Sequence, residues 1–348
     1  MVLLGWWVQR GYLERDKDMR IIVTGGNGFI GHHLCEHLLK NTDWDIDIID
    51  RMSYASSGYD RLKEVNCYDS KRIRHFCHDF TIPIPEGLLE ELKSCDYIVH
   101  MGAETHVDNS ISNPIPFVKS NVIGTANMLE FARQCNNLKK MIYFSTDEVF
   151  GPAPKETVPG GYKEWDRYNS TNPYSASKAG GEELCLAWAN TYKVPVLITH
   201  TMNAFGERQH PEKFIPKCIS KILKGEQIYI HADKECKVPG SRFWIHSRNI
   251  AHAVMFLLRD GQIREKYNIV GEKEVDNLEM AIFISKVIGK KLNYKLVDFH
   301  SSRPGHDLRY GLCGEKLKRL DFVYPKNFEE SLEKTILWTT TNQKWLER

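Results

Sequence analysis

From Met19 onward, short β-rich runs alternate with longer helical ones, and this alternation restricts the fold more than any other feature of the chain. "MRIIVTGG", "DIDIID", "CDYIVHMGA", "KKMIYFSTD" and "PVLITHT" read as strands, whereas "FIGHHLCEHLLK", "FVKSNVIGTANMLEFARQC" and the stretch from about Pro173 to Tyr192 read as helices. Strands separated by helices need crossover connections, so the sheet is predicted to be largely parallel and doubly wound, an α/β architecture of Rossmann type. After Thr201 the periodicity turns irregular, with Pro, Gly and Lys spread through residues 206–243, before a helix near 249–260 and the strand "YNIVG". A chain of 348 residues exceeds what one core usually serves. The pattern therefore predicts a dinucleotide-binding domain from residues 19–200 with 244–270, a smaller α/β substrate lobe from 201–243 with 271–348, and an extension over 1–18.

Charge and cysteine usage narrow the partners. Lys plus Arg number 47 against 45 acids, a net charge of +2, so no global field favours nucleic acid or a membrane surface, and anionic ligands must be met by local groups. The nine cysteines are odd in number and lack CxxC spacing, which predicts free thiols in a reducing, cytoplasmic setting and neither a disulfide framework nor a zinc site. "MVLLGWWV" has no basic residue before it and no small-residue cleavage site after it, unlike a signal peptide, and no run is long enough to span a bilayer.

"VTGGNGFIG" places Gly25, Gly28 and Gly31 between a strand and a helix. Glycines let such a turn tighten and let backbone amides approach a pyrophosphate at the positive end of the helix. Asp50 closes the next strand about 20 residues on, where an acid can hydrogen-bond a ribose diol, so a dinucleotide is predicted. Asp50 repels a 2′-phosphate and favours NAD over NADP, while Arg51 beside it is a cation that could hold one. His33 and His37 have the spacing of a metal pair on a helix but no third ligand in view, and read as polar residues of a helix surface.

Two further motifs carry chemistry. "NPYSASKAG" puts Tyr174 and Lys178 four residues apart, on one face of a helix. A phenol titrates near 10 and is a poor base at neutral pH, but a neighbouring ammonium and a nicotinamide cation both favour the phenolate. Tyr174 is then a base for a sugar hydroxyl, with Lys178 holding the ribose and lowering the phenol. "FSTDEVFG" sets Asp147 and Glu148 side by side at the end of an apolar run, either as a solvated turn or as a working pair whose environments divide their protonation.

"TGGNGFIG", "YSASKAG" and the Ser-Thr strand end together resemble the extended short-chain dehydrogenase/reductase superfamily. Within it, "STDEVFG", "HMGAETHVDNSI", "NAFGERQHPEKFIP", "RFWIH", "YNIVG" and "RPGHDLRY" resemble the nucleotide-diphosphate-glucose 4,6-dehydratases, from about residue 19 almost to the C-terminus. The resemblance implies an NAD-dependent lyase that oxidises the sugar at carbon 4, eliminates water across carbons 5 and 6 and returns the hydride to carbon 6. It implies Glu148 as the base at carbon 5, Asp147 as the acid at carbon 6 and Thr146 as a hydrogen-bond donor to the 4-oxygen. It assigns Asn27, Phe29, Ile30, Ser53, Asp79 and Phe80 to the dinucleotide, together with Met101, Gly102, Ala103 and Ser120. Thr105, His106 and Asn109 are implied near the sugar or nicotinamide, and Asn203, Lys213, Arg242, Asn268 and Arg309 at the nucleotide and its diphosphate. His306 and Arg309 are expected in a loop able to clamp the nucleotide. A homodimer through the helices of 115–134 and 173–191 is implied as well.

The sequence departs from the family pattern twice. Ser247, Arg248 and Asn249 follow "RFWIH", with Asn249 the expected helix cap, and the loop "GPAPKETVPGGYKEWDRYNST" is expected to border the sugar. Rival readings are a nucleotide-sugar 4-epimerase or decarboxylase on the same scaffold, and a non-catalytic NAD-binding sensor.

Overall fold

The computed structural model describes residues 19–298 and 307–347. The N-terminal extension and His306 lie outside the described residues. In chain order the strands are β1 (Arg20–Thr24), β2 (Asp45–Asp50), β3 (Ile73–Cys77), β4 (Tyr97–His100), β5 (Lys140–Thr146), β6 (Val196–Thr201), β7 (Asn203–Phe205), β8 (Ile228–Ala232), β9 (Ser241–His246), β10 (Lys266–Ile269), β11 (Lys273–Asp276) and β12 (Tyr294–Asp298). Seven of them form one sheet in the order β10-β6-β5-β4-β1-β2-β3, every pair parallel. The doubly wound parallel sheet expected from the alternation is the observed one. Order reverses between β1 and β4, so the carboxyl ends of β1, β4 and β5 open onto a crevice where such sheets bind ligands.

The central strands explain themselves. β5 reads "KMIYFST" and is buried at every position, as a strand covered by helices on both faces must be. The helix Pro173–Thr191 starts where the sequence puts Pro at its first position and Asn172 at the cap, and Asn172 and Ser175 exchange both bonds of a capping box. The helical run over 115–133 contains a π-helical segment, Lys119–Ile123, which brings Ser120 and Asn121 inward. Beyond β6 the chain builds a three-stranded sheet, β11-β9-β7, and a two-stranded one, β12-β8, before β10 returns to the edge of the large sheet.

Two local expectations are corrected. The helix following β9 runs Ser247–Asp260 and is capped by His246, whose Nδ1 accepts from the Arg248 N–H at 3.1 Å. Asn249 lies inside it and trades hydrogen bonds with the Lys326 backbone, 2.9 Å each way, so it pins the distant chain and caps nothing. His33 is not on a helix surface either. It is fully buried, its Nε2 3.3 Å from the Glu207 carbonyl, because its helix packs against Ser247–Asp260. Arg248, the added cation, is held internally by Glu207 at 2.9 Å and Glu36 at 3.5 Å. All nine cysteines are free thiols, and no described helix is long and apolar enough to cross a membrane.

Candidate active site

A cavity of about 330 Å³ opens at the carboxyl ends of the central strands. Its first wall is the turn after β1. Gly25 has φ +70°, and a Cβ there would meet the Gly102 Cα at 2.8 Å; a Cβ on Gly31 would lie 2.2 Å from the Gly25 carbonyl. The turn therefore admits no side chain at either position, and the helix Phe29–Asn41, with Gly28 at its cap, presents free amides and its positive end to the cavity. Asp50 stands beside it, its two oxygens accepting the N–H groups of Asn27 (3.1 Å) and Met52 (2.9 Å). Burial pushes the Asp50 carboxyl above its ordinary value, and these two amides oppose that shift.

The sequence left Arg51 as a possible phosphate ligand. Its guanidinium is committed to Glu104 and lies 3.6 Å from Asp79, so the cation is neutralised beside Asp50 and a 2′-phosphate would have to displace two carboxylates. This cradle of small residues, amides and an acid fits NAD.

Gly25, Gly28, Phe29, Ile30, Gly31 and Asp50 line the cavity, as do Arg51, Ser53, Phe80, Met101, Gly102, Ala103 and Ser120. Asn27 and Asp79 stand behind this wall: Asn27 is 2 % exposed, with its N–H on Asp50, and Asp79 turns to Arg51 and the Thr81 N–H.

The catalytic wall grows from the end of β5. Thr146 caps a 3₁₀ turn, Asp147–Phe150, accepting the Glu148 N–H and donating to Asp147 Oδ1 at 3.0 Å. Asp147 is 4 % exposed and its Oδ2 has no partner among the described residues. Burial first, and the Glu148 charge second, push its carboxyl up to about 7, with Arg242 opposing. Glu148 Oε2 receives Asn172 Nδ2 at 3.3 Å and the Tyr310 hydroxyl at 3.4 Å. Adjacent in sequence, the two acids thus stand in different environments, one starved of donors and one supplied with two. Tyr310 was not singled out from the sequence, although it ends the quoted string "RPGHDLRY".

Tyr174 and Lys178 face the same cavity from the helix Pro173–Thr191. Tyr174 is buried edge-on to Phe117, and burial, then Glu148, hold its phenol above the ordinary value, with Thr146 opposing. The expectation that Lys178 sets the phenol low is not met by the protein's own charges. The ammonium lies over the Tyr143 ring, 4.3 Å from its centre, and burial brings it down to about 8, with Glu182 opposing.

Of the implied substrate contacts, Thr105, Asn203 and Lys213 line the cavity. Lys213 is the cap of the helix Phe214–Lys224, so a cation and a helix amino end lie at the cavity together. Gln209, His210, Glu212, Phe214 and Trp244 line the same end and were missed; they lie within the quoted strings "NAFGERQHPEKFIP" and "RFWIH", whose apolar and acidic members gave no sign of pointing inward. His106 and Asn109 do not line the cavity: His106 lies 3.8 Å from Glu212, which does, and Asn109 donates to the Tyr54 hydroxyl at 3.3 Å.

Three more of the implied substrate residues do not line the cavity and have partners within the protein. Arg309 is 8 % exposed, pairs with Glu274 at 2.8 Å and donates to the Ala153 and Val158 carbonyls, because a desolvated guanidinium must satisfy its donors locally. Arg242 donates to the carbonyls of Ser241, Asp307 and Leu308 and stacks on Tyr310, holding that segment in place. Asn268 is fully buried, its Oδ1 2.9 Å from His200 Nδ1 and its Nδ2 on the carbonyls of Tyr162 and Cys313. Nor does the 151–171 loop line the cavity; Tyr162 and Tyr168 pack it against Phe150 from behind.

The Asp147 environment predicts a stability cost. A carboxyl that titrates near 7 when folded and at 3.8 ordinarily binds its proton more tightly in the folded state, so its contribution is full below about 4 and is lost as pH rises through 7. Asp147→Asn should therefore gain on the wild type by about 2–4 kcal/mol between pH 4 and pH 8, on the order of the pKa displacement. Denaturant melts of both proteins at the two pH values check this, and a gap that does not widen would show that Asp147 is ordinary.

Residues 21–270 match the NAD dependent epimerase/dehydratase family. The chain is 32% identical over 350 residues to the dTDP-glucose 4,6-dehydratase of Shigella flexneri, covering 94% of this chain and 95% of that one. It is 34% identical over 331 residues to a trifunctional UDP-glucose 4,6-dehydratase/UDP-4-keto-6-deoxy-D-glucose 3,5-epimerase/UDP-4-keto-L-rhamnose-reductase of Arabidopsis thaliana, spanning 94% of this chain but only 48% of that longer protein. Among solved structures, DesIV, a dTDP-glucose 4,6-dehydratase from Streptomyces venezuelae with NAD and TYD bound, superimposes with a TM-score of 0.85 at 33% identity, over 94% of this chain and 99% of that one.

Proposed function

The chain belongs to the NAD dependent epimerase/dehydratase family, and from that premise we infer that it is a nucleotide-sugar 4,6-dehydratase, converting a dTDP- or UDP-glucose to the 4-keto-6-deoxy sugar nucleotide. The observation that carries this reading is the division of labour between Asp147 and Glu148. The hydrogen on carbon 5 is not acidic until carbon 4 is a ketone; after that, elimination needs a base and an acid side by side.

The glycine turn, the amino end of the helix Phe29–Asn41 and Asp50 would hold NAD, which would supply the hydride acceptor and donor for the reaction. Tyr174 takes the proton of the 4-hydroxyl while Thr146 hydrogen-bonds the same oxygen. Glu148, steadied by hydrogen bonds from Asn172 and Tyr310, removes the proton on carbon 5. Asp147, holding a proton up to about pH 7, gives it to the departing 6-hydroxyl, and a proton then returns to carbon 5. Lys178 orients the ribose, and the Lys213 helix end receives the diphosphate.

A homodimer is part of this reading, supported by Ile111, Ile115 and Val118, which stand exposed on neighbouring helical segments where isolated subunits would leave apolar surface in water. The free thiols support a cytoplasmic setting.

The 4-epimerase reading has no use for an acid beside the base, since its product keeps the 6-hydroxyl. Incubation with dTDP-, UDP-, GDP- and CDP-glucose, followed through the alkaline absorbance of a 4-keto-6-deoxy product, separates the two. A product from at least one of them is expected; none from any would sink the dehydratase reading.

A further inference from the structure

Behind the catalytic wall lies a group of buried ionisable side chains for which the steps above have no use. Glu182 is fully buried one helical turn beyond Lys178. Its carboxylate accepts the hydroxyl of Ser145, the neighbour of Thr146, and the hydroxyl of Tyr168; its Oε2 is 3.0 Å from His200 Nε2 and 3.5 Å from Lys266 Nζ. The far nitrogen of His200 meets Asn268 Oδ1 at 2.9 Å, the residue expected from the sequence at the substrate. Phe150, from the turn that opens with Asp147, packs edge-on to the same imidazole at 4.8 Å.

We propose that Glu182 is a positioning residue for the reaction, fixing Lys178 from one helical turn away and the Thr146 strand end through Ser145, with Tyr168 and His200 locking the carboxylate in place. Resting on the dehydratase reading for its kinetic arm only, the proposal gives the unusual 151–171 loop a role: through Tyr168 it reaches the support of the site without touching the cavity.

A carboxylate withdrawn from water is stable only when its acceptors are filled and its charge is matched. Here the elements packed around it fill and match it: Ser145 from β5, His200 from β6, Lys266 from β10 and Tyr168 from the loop, while Tyr143 from β5 and Lys178 and Cys185 from its own helix feel its charge. Burial works against the ionised form, yet His200, Lys266 and Ser145 together hold it well below the usual carboxylate range, so a fixed negative charge faces Lys178 at all working pH values. That charge favours the ammonium form of Lys178, which burial alone would release.

The test uses Glu182→Gln, which keeps shape and removes charge, and Tyr168→Phe, which keeps the charge and removes one donor. Glu182→Gln should lower kcat about ten- to hundredfold with KM for the sugar nucleotide little changed, as expected when a reacting group is misplaced but the ligand still binds. It should also shift to lower pH the point at which NAD affinity weakens as Lys178 loses its proton, a readout that packing damage alone would not move. Tyr168→Phe should lower kcat severalfold and leave that point where it is. Wild-type kcat in either variant, or an unmoved NAD-affinity profile in Glu182→Gln, would overturn the proposal. Should Glu182→Gln not fold, Tyr168→Phe decides by its kcat. A wild-type protein that makes no 4-keto sugar would refute the dehydratase reading, and NAD binding against pH would still test Glu182.

Discussion

Glu148→Gln is expected to leave oxidation at carbon 4 intact and to cut formation of the 4-keto-6-deoxy product by about 10²–10⁴-fold, the range that a positioned general base contributes. The amide carbonyl of Gln can still accept from Asn172 and Tyr310, so the turn should keep its shape. Loss of the charge acts on two neighbours with known sign. Glu148 raises both the Asp147 carboxyl and the Tyr174 phenol, so removing it lowers both. A lower phenol makes Tyr174 the readier base, and oxidation should be no slower than in the wild type. A lower Asp147 leaves less of the acid protonated at neutral pH, which deepens the elimination defect. On mixing the variant with its sugar nucleotide, reduced cofactor should accumulate while the carbon 5 hydrogen fails to exchange with deuterated solvent. Normal turnover would place the base elsewhere, and loss of both oxidation and exchange would make Glu148 a structural residue.

The residues of this mechanism were legible in the sequence because each belongs to a contiguous motif whose local geometry is fixed by the chain itself. The glycine turn, the strand end "STDE" and the helical Tyr174–Lys178 spacing need no long-range information. The parallel sheet was legible for a related reason: its buried strands are short apolar runs set between helices of crossover length. What the sequence did not carry was the internal partners of long polar side chains. Arg242, Arg309 and Asn268 carry the right chemistry for a diphosphate or a base, but they also take partners within the protein, and those come from residues 153, 158, 274, 307 and 308 or from His200, far away in sequence. The same blindness hid Tyr310, whose hydroxyl finds Glu148 across 162 positions. It also hid His246 as a helix cap, because a strand ending in His at a helix start is a weak local signal beside an Asn three residues on.

Tyr174→Phe should lower kcat by about 10²–10⁴-fold while leaving NAD occupancy and sugar-nucleotide affinity near wild type. Phe keeps the ring that packs against Phe117, so the site is not emptied; only the hydroxyl goes. Burial and Glu148 hold that hydroxyl protonated at neutral pH, so it can act as a base only where a further cation favours the phenolate, as the nicotinamide ring of bound NAD would. The decisive comparison is with Glu148→Gln. If oxidation must come first, the carbon 5 hydrogen stays non-acidic in Tyr174→Phe, so solvent exchange at carbon 5 should vanish even though Glu148 is untouched, and no reduced cofactor should accumulate. The double variant should then lose far less than the product of the two single losses, because residues acting in sequence on one intermediate are not independent. Multiplicative losses, or exchange at carbon 5 that survives in Tyr174→Phe, would mean that proton abstraction does not wait for the ketone, and the order of steps assigned to Tyr174 and Glu148 would have to be abandoned.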